Sequence, residues 1–124
     1  MQYTSVTKLK PEEIDKQLSI ASSEEDILNL VLSAVYFCDT EFAGDCLLKT
    51  LSNSSGSLAL SLIRVTNTYL QTHRTAHNAS KFLIVMQSKC LLLPENKLEI
   101  LDLIEGVEEL KEKFNVVPSR RPIE

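Results

Sequence analysis

Residues 23–48 read SEEDILNLVLSAVYFCDTEFAGDCLL, and this stretch decides the fold class. Ser23 followed by Asp26 is a helix-capping pattern, and the apolar residues that come next leave little of the helix circumference polar. Asp39 is a second N-cap residue, after which apolar positions recur at helical spacing as far as Leu51. We therefore predict two helices joined by a tight turn, the first of them buried on more than one side.

Helix-start signals recur on both sides of this hairpin. Pro11 suits the first turn of a short amphipathic helix, and Asn78 is the predicted N-cap of a later one. Pro94 ends that helix and opens the last. Within the fourth helix, residues 58–65 also fit a strand, because their Leu/Ser alternation satisfies period two. The six predicted helices lie at about 11–21, 24–37, 40–51, 58–72, 79–92 and 95–114.

Length and composition indicate one all-α domain over residues 1–114. With 44% hydrophobic and 24% charged residues the chain is too balanced for disorder, and three Gly and four Pro are too few for a turn-rich β-sandwich. Residues 115–124 form a tail, because Pro118 and Pro122 cannot continue a helix. The chain shows no secretory signal, no membrane-spanning apolar run and no disulfide framework, so we expect a cytoplasmic protein.

Helix pairs begin near Glu24, Ser57 and Glu95, which are about 33 and 38 residues apart, and such periods are typical of α-solenoids. Over residues 23–114 the chain therefore resembles a short HEAT-like or armadillo-like stack of antiparallel helices. A compact orthogonal bundle of the same six helices is the alternative. Two or three repeats are near the minimum for a stable solenoid, which favours a compact version.

The last predicted helix carries acidic residues that step by three or four positions. This spacing aligns them along one helix face. A solvated face is one explanation, and a docking stripe for a basic protein surface is the other, because complementary charge speeds encounter and sets register. The candidate partner-binding residues are Glu95, Glu99, Asp102, Glu105, Glu109 and Glu112. The residues of this helix predicted to face the core are Leu98, Leu101, Ile104, Val107, Leu110 and Phe114.

Neither catalysis nor a bound cofactor is indicated. His73 and His77 have a spacing that suits zinc on a helix, but residues 73–77 read as a loop with solvated histidines, and no Cys-x-x-Cys pair exists. We therefore expect no metal site, no cofactor and no enzyme. The three cysteines sit at core-facing positions as small hydrophobic residues. Gly44 and Gly106 fall inside helical patterns, which predicts close helix packing there.

Direct nucleic-acid binding is not expected either. The net charge is −4, and the positive charges of the middle segment form no periodic stripe and have no interleaved aromatic residues for stacking bases. Those positive residues are Lys49, Arg64, Arg74, Lys81 and Lys89.

In size, helical rhythm and charge balance the chain resembles the helical immunity proteins of bacterial contact-dependent growth inhibition systems. Proteins of that group neutralise a toxin domain, commonly a nuclease with a basic cleft. The resemblance carries over no individual residue, but it implies that acids of the last helix cover a basic toxin surface and exclude its RNA substrate. One alternative is a helical adaptor or regulatory subunit that uses apolar residues around Val31–Phe37. A second alternative is a helical nucleic-acid-binding domain that uses Arg64, Arg74 and Lys81.

Overall fold

Six α-helices and one short 3₁₀ helix form the fold of residues 6–114, which are the residues that the computed structural model describes. The all-α prediction is confirmed, and the strand alternative for residues 58–65 is wrong because they lie inside the fourth helix. The predicted tail at 115–124 lies outside the described residues. The helices are α1 Pro11–Ile20, α2 Glu24–Phe37, α3 Thr40–Ser52, α4 Gly56–His73, α5 Ala79–Leu92 and α6 Lys97–Phe114, with the 3₁₀ turn Pro94–Asn96 between the last two.

The two predicted N-caps of the central hairpin are confirmed. The Ser23 hydroxyl accepts a hydrogen bond from the Asp26 amide at 3.0 Å, at the start of α2. The Asp39 carboxylate accepts one from the Phe42 amide at 2.8 Å, at the start of α3. Caps of this kind each stabilise a helix by about 1 kcal/mol, because they satisfy amides that have no partner within the helix. The Asp39 bond fixes the start of α3 directly after the end of α2, which makes the α2–α3 turn tight.

The connection between α4 and α5 differs from its prediction at both ends. His73, predicted to lie in a loop, is the last residue of α4, and Arg74 follows in the left-handed conformation with φ of 49°. Asn78 directly precedes α5 as predicted, but its φ is 63° and its side chain does not cap the helix. The side-chain Nδ2 of Asn78 instead donates to the Asp45 carboxylate of α3 at 2.9 Å, and this charge-assisted hydrogen bond orients the side chain toward α3.

Helices pack on their neighbours and next neighbours along the chain. α2 lies at the centre of the first half, and its consecutive buried residues from Leu30 to Val35 confirm that it is buried on more than one side. The choice between a stack and a bundle stays a prediction. The helix pairs with extensive contacts are α1–α2, α2–α3, α2–α4, α3–α4, α3–α5, α4–α5, α4–α6 and α5–α6.

The face of α6 that packs against the core differs from the predicted one. Leu98 and Leu101 are exposed, whereas Ile100 is fully buried, so the prediction for these two leucines is wrong. Three residues of an α-helix turn through about 300°, which is about 60° short of a full turn. A row of residues spaced by three therefore winds around the helix instead of staying on one side. The buried residues of α6 are Ile100, Ile104, Val107 and Leu110.

Gly44 and Gly106 lie at close helix crossings, as predicted. A Cβ atom at Gly44 would overlap the Tyr69 hydroxyl of α4, and one at Gly106 would lie 2.5 Å from the Asn67 side-chain nitrogen. Tyr69 is fully buried, and its hydroxyl donates a hydrogen bond to the Thr40 carbonyl at 2.9 Å. The Tyr69 ring therefore has little freedom to move away from an added methyl group.

We expect Gly44→Ala to lower the free energy of unfolding by about 1–2 kcal/mol. Overpacking costs about 1–3 kcal/mol, and alanine recovers about 1 kcal/mol through its helix propensity. Tyr69→Phe removes the hydroxyl, so the double variant should lose at least about 0.5 kcal/mol less than the two single losses added together. Urea denaturation of the four proteins measures this coupling. Strictly additive losses would show that the Tyr69 hydroxyl is not the group that the added methyl group displaces.

Candidate functional site

The candidate site is the acidic face, which comprises Glu95, Glu99, Asp102, Glu105, Glu109 and Glu112. Glu95 lies in the 3₁₀ turn, just before α6 begins, and the other five lie on α6 itself. All of these side chains are exposed except that of Glu99, which is partly buried. The carboxylates lie along α6 and the 3₁₀ turn before it, and the opposite side of α6 is buried against α4 and α5.

Glu99 differs from the rest of the acidic face because it has a cationic partner. The Arg64 guanidinium of α4 donates from Nε and Nη2 to the two Glu99 carboxylate oxygens, at 2.5 and 3.0 Å. These hydrogen bonds are the main cause that lowers the pKa of Glu99. The side chains keep 53% (Arg64) and 40% (Glu99) of their surface exposed, so the pair contributes little to stability. Within residues 6–114 the other five acids form no salt bridge, and they carry the negative potential of this face.

Four exposed leucines, which we name the turn leucines, surround the connection between α5 and α6. Their exposed fractions are 84% for Leu91, 68% for Leu92, 79% for Leu98 and 44% for Leu101. Sequence reasoning missed this feature, because it assigned Leu98 and Leu101 to the core. The apolar run that directly precedes Pro94 was the available signal, since a helix end has few neighbours to cover it.

Three of the five basic residues of the middle segment contact their own chain. Arg64 pairs with the acidic face, and the Arg74 guanidinium lies 5.4 Å from the centre of the Phe114 ring. The Lys89 ammonium donates to the Ser54 carbonyl at 2.5 Å, just beyond the C-terminal end of α3, where a cation is favoured by the helix dipole. These three contacts lie in different parts of the fold.

The two histidines are engaged in the fold. His73 Nε2 lies 2.7 Å from the Val35 carbonyl, and its Nδ1 lies 2.9 Å from the Thr40 hydroxyl, so the ring links the end of α4 to the α2–α3 turn. The carbonyl can only accept, so Nε2 carries the proton. His77 Nε2 lies 3.2 Å from the Asp45 carboxylate. Within residues 6–114 no three His, Cys, Asp or Glu side chains are grouped so as to hold a metal ion.

The cysteine thiols have properties of packed side chains. Burial raises the pKa of Cys46 to about 11, with a smaller contribution from the charge of Asp15. Burial also raises the pKa of Cys38. A raised pKa keeps a thiol protonated near pH 7, and the protonated form is a poor nucleophile.

The apolar surface predicted around Val31–Phe37 is mostly absent. Val31 to Val35 are buried in the core, which leaves only Tyr36 and Phe37 partly exposed, at 41% and 46%. A shallow cleft of about 310 Å³ adjoins Tyr36. The adaptor alternative therefore has a smaller surface than the one predicted, because α2 contacts α1, α3 and α4.

A wider cleft of about 610 Å³ lies between the segment before α1, α1 itself and α2. Gln17, Asn29 and Ser33 contribute polar groups to its lining, and Ile20 lies at its edge. The Asn29 side-chain oxygen is buried and has no hydrogen-bond partner among the described residues. The cleft offers hydrogen bonds, but its lining contains neither a basic side chain nor a thiol.

No helix within residues 6–114 combines the length and the apolar character needed to cross a membrane. Comparison with protein-family models, curated proteins and solved structures found no match to this chain. The acidic face and the turn leucines are therefore interpreted from their own geometry and charge.

Proposed function

We propose that this protein is a cytoplasmic immunity-type inhibitor that binds a nuclease-type toxin domain through its acidic face. The observation that supports the proposal is the row of exposed carboxylates on α6 that form no salt bridge within the described residues. Helix contacts that run from neighbour to neighbour along the chain also support a HEAT-like stack, in which α6 lies in the last packed pair.

Charge complementarity supplies the mechanism. A nuclease binds the phosphates of RNA with Lys and Arg side chains, and this electrostatic contribution is a large part of nucleic-acid affinity. Carboxylates on neighbouring helical turns can pair with the same cations and leave no room for the substrate. Opposite potentials also speed association at low ionic strength, which suits an inhibitor that must act before the toxin does.

We expect the triple variant Glu105→Lys, Glu109→Lys and Glu112→Lys to bind its partner at least tenfold more weakly at low salt. Glu99 is left unchanged because Arg64 already neutralises it. Added salt should reduce the difference, since exposed charges are screened over about 10 Å at 0.1 M. The partner is isolated with the immobilised chain from the cells that produce it, and affinity is then measured by calorimetry.

The matched control carries Glu12→Lys, Glu25→Lys and Glu41→Lys, which change the net charge equally on α1, α2 and α3. The control should bind like the unmodified chain. Co-expression gives the second readout: the partner alone should arrest growth and degrade RNA, and the chain should suppress both effects. Equal weakening in the two triple variants, or a partner whose activity the chain leaves unchanged, would contradict the proposed function.

A further inference from the structure

The turn leucines are exposed apolar side chains at the α5–α6 end of the fold. Leu91 and Leu92 are the last two residues of α5, and Leu98 is the second residue of α6. Because only a 3₁₀ turn separates the two packed helices, these side chains lie at the same end of the hairpin. Leu101 follows Leu98 by three positions and is therefore its neighbour on the helix surface.

An outer face of this kind is unusual at the end of the HEAT-like stack that we propose. Terminal helices of stacked arrays need a polar outer surface, whereas each turn leucine keeps at least 44% of its surface exposed. Grouped apolar side chains with polar surroundings mark protein-binding sites more often than isolated ones do. The turn leucines are therefore a candidate protein-binding surface, and their surroundings indicate the chemistry of its partner.

In the segment 94–102, which carries Leu98 and Leu101, three acids (Glu95, Glu99 and Asp102) outnumber one base, and Glu99 is paired with Arg64. Glu95 lies in the 3₁₀ turn, and Asp102 lies one helical turn beyond Leu98. Lys97 is the one basic residue of the segment 94–102. The charge of Lys89 is directed away from this segment, toward the Ser54 carbonyl at the end of α3. A complementary partner surface thus has an apolar centre and a basic rim.

We propose that the turn leucines bind an amphipathic helix of the partner, with its apolar stripe on the leucines and its flanking Lys and Arg residues near Glu95 and Asp102. The inference rests on the proposed function for the nature of the partner and adds the surface that anchors it. Helices commonly bind in this way through apolar residues at positions i, i+3, i+4 and i+7. A few buried apolar anchors then supply most of the affinity, and the acidic face sets orientation.

The test uses a labelled synthetic helix of 18 residues, with leucines on one face and lysines on the flanks. We expect the unmodified chain to bind this peptide, and the Leu91→Ser/Leu98→Ser variant to bind at least tenfold more weakly by fluorescence anisotropy. Ile20→Ser is the matched control, because Ile20 is 77% exposed on α1, away from the α5–α6 turn. It should bind like the unmodified chain. Circular dichroism confirms that the variants are folded.

Two further peptides separate the apolar and the charged contributions. A peptide with glutamate in place of every lysine should bind at least tenfold more weakly, because Glu95 and Asp102 repel it. A peptide of the same composition with scrambled order should also bind weakly, since it lacks the apolar stripe. Binding that is equal for the three peptides, unaffected by the double leucine variant, or absent in the unmodified chain overturns the proposal.

Sedimentation velocity tests whether a second copy of the chain occupies the surface instead. A dimer that dissociates in the Leu91→Ser/Leu98→Ser variant overturns the proposal.

The isolated partner distinguishes this inference from the proposed function. A toxin that is neutralised equally well by the double leucine variant overturns the leucine surface and leaves the proposed function intact. A partner that requires the leucines but has no toxic activity overturns the proposed function and leaves the leucine surface intact.

Discussion

Replacing Ile100 with alanine lowers the free energy of unfolding by about 3 kcal/mol, whereas replacing Leu98 with alanine changes it by less than about 0.5 kcal/mol. Ile100 has no exposed surface, and its side chain lies where α6 packs into the core. Leu98 is 79% exposed, so truncation removes few contacts. Urea denaturation monitored by circular dichroism measures both values.

The two substitutions control for each other. Both remove three carbons from a four-carbon side chain on the same helix, two positions apart, and both introduce alanine; the gain in helix propensity is a few tenths of a kcal/mol larger at Ile100, because isoleucine has the lower propensity of the two. Since this propensity difference opposes the expected result, a larger loss at Ile100 reports its burial. Similar losses at the two positions, or a larger loss at Leu98, would mean that α6 buries the face predicted from the three-residue spacing.

Raising the pH from 8 to 11 lowers the free energy of unfolding by about 2 kcal/mol more in the unmodified chain than in Cys46→Ala. The pKa of Cys46 is raised from 9.0 to about 11 in the folded protein, mainly because burial disfavours the thiolate. The unfolded chain loses this proton near pH 9, whereas the folded chain retains it until about pH 11. The resulting stabilisation is present below pH 9 and is lost as the pH rises to 11.

Urea denaturation under reducing conditions, at intervals between pH 8 and pH 11, gives the two curves. Only the change of the free energy of unfolding with pH is compared, so a pH-independent loss of stability from the missing side chain in Cys46→Ala cancels. Burial also raises the pKa of Tyr69, and that contribution is common to both proteins. Parallel curves would show that the Cys46 thiol ionises with equal ease in the folded and unfolded chains.

The helix boundaries were predictable where the controlling interaction spans three or four residues. Ser23 and Asp39 bond to amides three positions later, so their caps are visible in the sequence. The prediction that the Asn78 side chain caps α5 was wrong, because that side chain bonds to Asp45, which is 33 positions away in the sequence. A local pattern contains no information about a competing bond at that distance.

The acidic face was predictable as a set of residues but not as an electrostatic surface. Helical periodicity aligns the carboxylates whatever their environment is. Which of them keeps its charge unpaired depends on the approach of Arg64 to Glu99 from another helix. The spacing of the leucines likewise allowed two choices of buried face, and packing against α4 and α5 selected the one that leaves Leu98 exposed.

The sequence by itself determined the all-α class, the α2–α3 hairpin and the row of acids on the last helix. These features depend on caps and on hydrophobic and charge periodicity, which are properties of residues close together in the chain. The tertiary structure alone decided that Leu98 and Leu101 face solvent, that His73 belongs to α4 and that Glu99 is paired. Each of these outcomes depends on contacts between helices that are distant in sequence, where packing selects among locally equivalent faces.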